Sequence, residues 1–287
     1  NEFRWGNKWR KKIIKDVCEI VGNSGIAAIG PIIGGPQGAI FAAASSFLFG
    51  KYLEETRDDL SKRGRSRWEE RRANLVIEYA CKKYEEKKAA GETLRNDAFF
   101  KQQPIGHTAC TEIPIVERPT SLEIIEGVIL AAQREHEERK LPYHGYLIGN
   151  IPFNEGIDRS QMNLLTKLAE RISFTQMCLL SIFSEPYKSK IKGRYFHSSA
   201  FPYEDMDLNS LFHEIFDLGS KGLLYCQNKP VTTAADLNNL ELVKVAWVGP
   251  NLYRLMELGG IKEAHLDPIA FKLFPLESKK YPPQKRS

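Results

Sequence analysis

The sequence predicts a mainly α-helical protein: a helical N-terminal module with a glycine-rich apolar hairpin, then a helical C-terminal module carrying a small winged-helix-like element. Three observations predict it. Apolar side chains recur at spacings of three and four through most of the chain, the period of one helical face. Oppositely charged residues recur at helical spacing over 51–88. Strand character is concentrated in one stretch, KGLLYCQN at 221–228.

At 287 residues the chain exceeds the usual size of one helical domain. Three parts are expected: an amphipathic helix and glycine-rich apolar segment over 1–50, charged helices and a proline-containing linker over 51–119, and a helical regulatory or sensing module over 120–287. The balance of 42% hydrophobic and 27% charged residues is that of a chain folding in water, not of a disordered or polytopic membrane protein. A net charge of only +5 excludes the strong overall field of a dedicated nucleic-acid binder, so any basic surface must be local. The cysteines Cys18, Cys81, Cys110, Cys178 and Cys226 form no CxxC pair and read as reduced core thiols. Residues 1–20 mix Arg4, Arg10, Lys11, Lys12 and Lys15 with Asp16 and Glu19, so no secretory leader is expected. A cytoplasmic location follows, with association to the inner membrane through the segment described next.

The opening places Trp5, Trp9, Ile13, Val17 and Ile20 on one helical face with basic residues between them. Such a helix can pack on the body of the protein or lie on an anionic lipid surface. Val21 to Gly50 follows, thirty residues without a charged side chain. Small residues recur every fourth position at Gly30, Gly34, Gly38, Ala42, Ser46 and Gly50, while Ile29, Ile33, Ile40 and Phe47 supply an apolar stripe. A small-residue stripe lets two helix backbones approach closely, which drives association in lipid, where helices gain nothing from the hydrophobic effect. Pro31, Gly34, Gly35 and Pro36 break or kink the segment. The uninterrupted part after Pro36 is ~14 residues, about 21 Å, short of a bilayer core of roughly 30 Å. Three readings stay open: a kinked span, a re-entrant hairpin, or a tightly packed helical pair in water.

From Lys51 the chain turns charged, and Trp68, Leu75, Val76, Tyr79 and Tyr84 give a partial apolar face. The cluster Lys62, Arg63, Arg65, Arg67, Arg71 and Arg72 is the strongest basic patch and a candidate phosphate-binding site on lipid or nucleic acid. Residues 92–119 hold Pro104, Pro114 and Pro119 with little periodicity and read as a linker. Thr120 or Ser121 with Glu123 predicts a capped helix start, and one further helix is expected over 159–184. Thr232 or Thr233 opens a short helix through Leu240, and AWVGPNLYRLMELGGI reads as a helix closed by Gly259 and Gly260.

The motifs of common chemistry are missing. His136-Glu137-Glu138 and His213-Glu214 lack the second histidine of a zinc-protease helix, and the glycines of 30–38 lack the lysine of a phosphate loop. No GxSxG elbow occurs, and His107 with Cys110 has no third partner. Glu204, Asp205 and Asp207 read as turn or capping residues. Lys188, Lys190, Lys192 and Arg194, interleaved with Tyr187, Tyr195 and Phe196, offer either a solvated loop or a single-strand nucleic-acid surface. No catalytic residue, metal or cofactor is therefore expected, and sites assembled from distant residues stay invisible at this level.

The runs SLEIIEGVILAAQ, YLIGNI, DRSQMNLLTKLAERISFTQMCLLSIF and NLYRLMELGGI, in that order, resemble the segment order of bacterial abortive-infection proteins of the Abi-alpha kind. The resemblance covers about half the chain and rests on apolar patterning. Gly145, Tyr146, Gly149 and Asn150 stand where that family usually shows Trp and Ala. It carries over no catalytic residues and implies a role in halting phage propagation by harming the infected cell. The expected function is thus an anti-phage effector acting by membrane association or self-assembly through residues 21–50, as a homo-oligomer, with the inner membrane, a protein partner or nucleic acid as trigger or target. The alternative is a soluble homo-oligomeric scaffold or a nucleic-acid-sensing regulatory protein.

Overall fold

The computed structural model describes residues 67–95, 97–100, 103–105, 115–117, 119–191 and 206–274. The charge-free segment 21–50, with Gly30, Gly34, Gly38, Ala42, Ser46, Gly50, Ile29, Ile33, Ile40 and Phe47, lies outside them, as do Lys62, Arg63 and Arg65.

The described residues are mainly helical, with small antiparallel sheets. Helix α1 spans Arg67–Ala89, with Glu69 and Glu70 in its first turn and Lys87 and Lys88 in its last, each sign at the helix end that favours it. It stops at Gly91, whose φ of 76° a side-chain-bearing residue rarely adopts; Gly91 N–H donates to Lys88 O at 3.0 Å. The buried stripe of α1 is Ala73, Val76, Ala80 and Tyr84. Trp68 falls out of that register and is 60% exposed, so it is not part of the apolar face expected for it.

Helices α2 (Thr120–Arg134) and α3 (Leu141–Asn150) lie against α1. The expected side-chain cap at the start of α2 is absent: Pro119 takes the N-cap position, and its carbonyl accepts from Leu122 N–H at 3.0 Å. On α3, Gly145 and Gly149 face α1. A Cβ on Gly145 would stand 2.4 Å from Tyr79 Cβ and 2.8 Å from Val76 O, and one on Gly149 would stand 2.8 Å from Ala80 O. The two helices thus touch backbone to backbone through a small-xxx-small pair.

The single helix expected over 159–184 is two, α4 (Arg159–Arg171) and α5 (Phe174–Ile182). The physical reason is a second capping box. Ser173 takes the N-cap of α5, where its side chain accepts from Gln176 N–H at 3.1 Å and Gln176 Oε1 accepts from Ser173 N–H at 3.1 Å. Asp158 and Gln161 form the same box at the start of α4.

Helices α6 (Glu185–Ile191) and α7 (Met206–Ser220) precede a three-stranded sheet. The expected strand, β3 (Leu224–Cys226), is its centre, flanked by β4 (Lys229–Pro230) and β5 (Val243–Val245); an earlier antiparallel pair joins β1 (Gln103–Ile105) to β2 (Ile115–Glu117). Gln227 and Asn228, both at positive φ, make the tight turn between β3 and β4. Thr233, one of the two residues expected to open a short helix, precedes a 3₁₀ segment over Ala234–Leu242, and Asp236 Oδ2 accepts from its N–H at 2.9 Å. Helices α8 (Gly249–Leu255) and α9 (Glu263–Leu273) close the chain's described part. Because α8 begins only at Gly249, Trp247 sits ahead of the helix expected to contain it, with φ of 55°.

One hydrophobic core runs from Ala73 on α1 to Phe274 after α9. It includes Leu94, Phe99 and Phe100 from the stretch expected to be a linker, so the described residues on both sides of position 119 share a core.

Candidate functional site

The basic patch divides. Arg67 and Arg71 are exposed on α1, and the Arg71 guanidinium lies 5.6 Å from the centre of the Trp68 ring. Arg72 turns inward, its Nη1 donating to Gln133 O at 3.2 Å, so it fastens α1 to the end of α2 and is not free for phosphate. The second basic stretch divides too. Tyr187 is buried and donates its hydroxyl to Asp267 Oδ1 at 2.8 Å, Lys190 pairs with Glu263 at 2.6 Å, and Lys188 Nζ donates to Glu241 O at 2.9 Å. Lys192, Arg194, Tyr195 and Phe196 lie outside the described residues, as do His107, Cys110, Glu204 and Asp205. Asp207 pairs with Lys272 at 2.6 Å. His136 and His213 are exposed, and Cys178 and Cys226 are free and buried.

Sequence reasoning did not find the charged cluster under the turn between α2 and α3. Lys140 is 3% exposed, forms an ion pair with Glu135, and donates to Glu170 O at 3.2 Å. Glu135 Oε1 accepts from Glu137 N–H at 2.9 Å, and Glu137 Oε2 in turn accepts from Phe174 N–H at 2.8 Å, at the amide-rich start of α5. His144 is 1% exposed, and its Nε2 stands 3.8 Å from Glu135 Oε2, beyond hydrogen-bond reach. Burial pushes the Glu135 carboxyl up, but His144, Lys140 and the Glu137 amide outweigh it and hold it at about 2. Burial lowers the His144 imidazole more than Glu135 raises it, so this histidine is neutral at neutral pH. Beside the cluster, burial pushes the Cys178 thiol and the Tyr143 phenol each up to about 12. Neither is an activated nucleophile or acid. With its charges spent on one another, this cluster pins the α2–α3 turn to α4 and α5; it is not built for turnover. Among the described residues, no group of His, Cys, Asp and Glu side chains could hold a metal ion, and no helix is long and apolar enough to cross a membrane.

A different kind of site lies on the small sheet. Tyr225 on β3 is directly opposite Lys244 on β5 and Pro230 on β4, so the three share one face, while Leu224, Cys226 and Val243 turn to the core. Trp247 stacks over Tyr225, with ring centres 5.9 Å apart and planes inclined by 26°, and is 77% exposed. Leu242, also exposed, leads into β5. Two constraints fix the turn carrying Trp247. A Cβ on Gly249 would stand 2.6 Å from Val245 Cγ1 and 3.1 Å from Leu223 O, so only glycine lets α8 start this close to the sheet, and Gly249 N–H closes the turn onto Ala246 O at 2.9 Å. The sequence offered no signal for this feature, because AWVGP reads as the start of a helix and a tryptophan is an unexpected residue at positive φ.

No protein-family model matches this chain, and comparisons with curated proteins and with solved structures return no match.

Proposed function

We propose that this protein is a bacterial anti-phage effector of the abortive-infection type, in which residues 21–50 associate with the inner membrane or with one another and the helical body regulates them. The observation that carries the reading is the charge-free run Val21 to Gly50, with small residues at every fourth position from Gly30 to Gly50. Two features of the body support it. The described residues share one buried core, a body for that run to act from. The chain also uses the same small-residue device at Gly145 and Gly149, where two helix backbones meet directly.

Liposome flotation combined with dye release tests the reading, with the full chain compared to a variant lacking residues 21–50 at low and moderate salt. Flotation and leakage that vanish with the deletion are the expected result. Absence of vesicle binding by either form, with the deletion instead dissociating or unfolding the protein, overturns it in favour of a helical scaffold packed in water.

A further inference from the structure

The small sheet presents an aromatic surface that shares its face with an exposed lysine, Lys244. Trp247 is the most exposed large hydrophobic side chain among the described residues, and its backbone is held at a φ of 55°. A bulky residue in that region is strained, and strain of this kind persists where the surrounding structure enforces it. Here the enforcement is visible: Gly249 must pack on Leu223 and Val245, and Tyr225 supports the indole from beneath. The result is a flat ring with one face on Tyr225 and the opposite face in solvent.

The lysines near the sheet are unequally partnered. Lys229 is neutralised by Asp236 at 2.6 Å, which also binds the amides of Thr232 and Thr233. Lys244, on the Tyr225 face, is exposed and has no ion-pair or hydrogen-bond partner among the described residues. Lys188, on α6, is held by Glu241 through that residue's backbone carbonyl at 2.9 Å and through its carboxylate charge. Burial lowers the Lys188 ammonium, and the Lys244 charge adds to this against the pull of Glu185. An exposed ammonium, Lys244, on the same sheet face as an open aromatic ring matches a phosphodiester chain whose unpaired bases stack. An interfacial membrane anchor would send the indole edge outward with apolar neighbours, whereas this indole lies flat on the sheet.

We propose that the β3–β5 face is a single-stranded nucleic-acid site, with Trp247 stacking an unpaired base and Lys244 contacting an adjacent phosphate. The site would give the effector its trigger, yet it stands independently of the membrane reading, because it involves no residue of 21–50.

The test is fluorescence anisotropy of the full chain with a labelled oligothymidylate of roughly 10 nucleotides, with an oligouridylate run alongside to distinguish DNA from RNA. Wild type should bind the single strand in preference to a duplex of the same length. Trp247→Ala should weaken binding roughly tenfold and Trp247→Phe much less, since a smaller aromatic still stacks. Lys244→Ala should lower the slope of log K against log salt by about 0.7, the release from one phosphate. Circular dichroism melts of each variant check that the fold is retained. No oligonucleotide binding, equal binding by Trp247→Ala and wild type, or preference for the duplex would each overturn the proposal. So would Trp247-dependent binding of phosphatidylserine vesicles without oligonucleotide binding, which would make the face a lipid contact. Dye release that persists while oligonucleotide binding fails separates this outcome from failure of the membrane reading.

Discussion

At the scale of single residues, the buried cluster makes stability depend on pH with a definite sign. His144 has a folded pKa below its ordinary 6.5, so it contributes stability that is complete above that value and is lost as pH falls below it. Glu135, ordinarily 4.5 and held at about 2, adds a second loss between those values, again on acidification. Lys140 and Glu170 also act on His144, Lys140 opposing its protonation and Glu170 favouring it. Urea unfolding should therefore show a lower midpoint at about pH 5.5 than at about pH 7.5. His144→Gln removes the titrating imidazole and should flatten that difference. An equal drop in both proteins would mean that another group carries the dependence. None of this was legible in the sequence. His144 stood there as one histidine in an apolar helix, and only the fold brings Glu135 and Lys140 to it.

At the scale of elements, the packing of α3 on α1 sets a clear expectation for glycine substitutions. Alanine is the better helix former by up to about 1 kcal/mol, yet at Gly145 and Gly149 its methyl group would sit inside contact distance of the α1 backbone. The overlap should win, and each change should destabilise by about 1–3 kcal/mol in thermal or urea unfolding. Gly127→Ala on α2 is the control, because the nearest atom to its Cβ is Thr166 Cγ2 at an ordinary 3.7 Å; that variant should be neutral or slightly more stable. Equal effects at all three positions would refute a backbone contact at the α1–α3 crossing. The helices themselves were largely readable, since Met162, Leu165, Leu168 and Ala169 line one face as their spacing predicts. Their joints were less so. The apolar series continues through Ile172 into Met177 and Leu180 and hides the stop, while the signal that ends α4 is the local Ser173 and Gln176 pair. Gly145 and Gly149 were visible as glycines four apart, but a sequence cannot say which helix they meet.

For the whole molecule, the question is how a helical body with one continuous core relates to the charge-free run before it. The core joins α1 to helices nearly two hundred residues later, as Lys83 shows by pairing with Glu257 at 2.8 Å while Asn150 Nδ2 donates to Leu255 O at 2.8 Å. Composition could not reveal this union, because prolines at 104, 114 and 119 look the same in a linker as in a packed connection. The union also gives residues 21–50 a body to be measured against. In the full chain, Gly34→Leu or Gly38→Leu puts a bulky side chain on the small-residue stripe. If that stripe acts in lipid, the variants should lose vesicle leakage while the urea midpoint of the body stays where it was, since no helix of the folded core is altered. If the stripe packs in water against the rest of the chain, the same substitutions overpack a core and should lower stability by about 1–3 kcal/mol. Leakage that survives both substitutions would remove the stripe from the mechanism, whatever the midpoint does, and leave the basic, tryptophan-bearing face of residues 1–20 as the element to test on lipid.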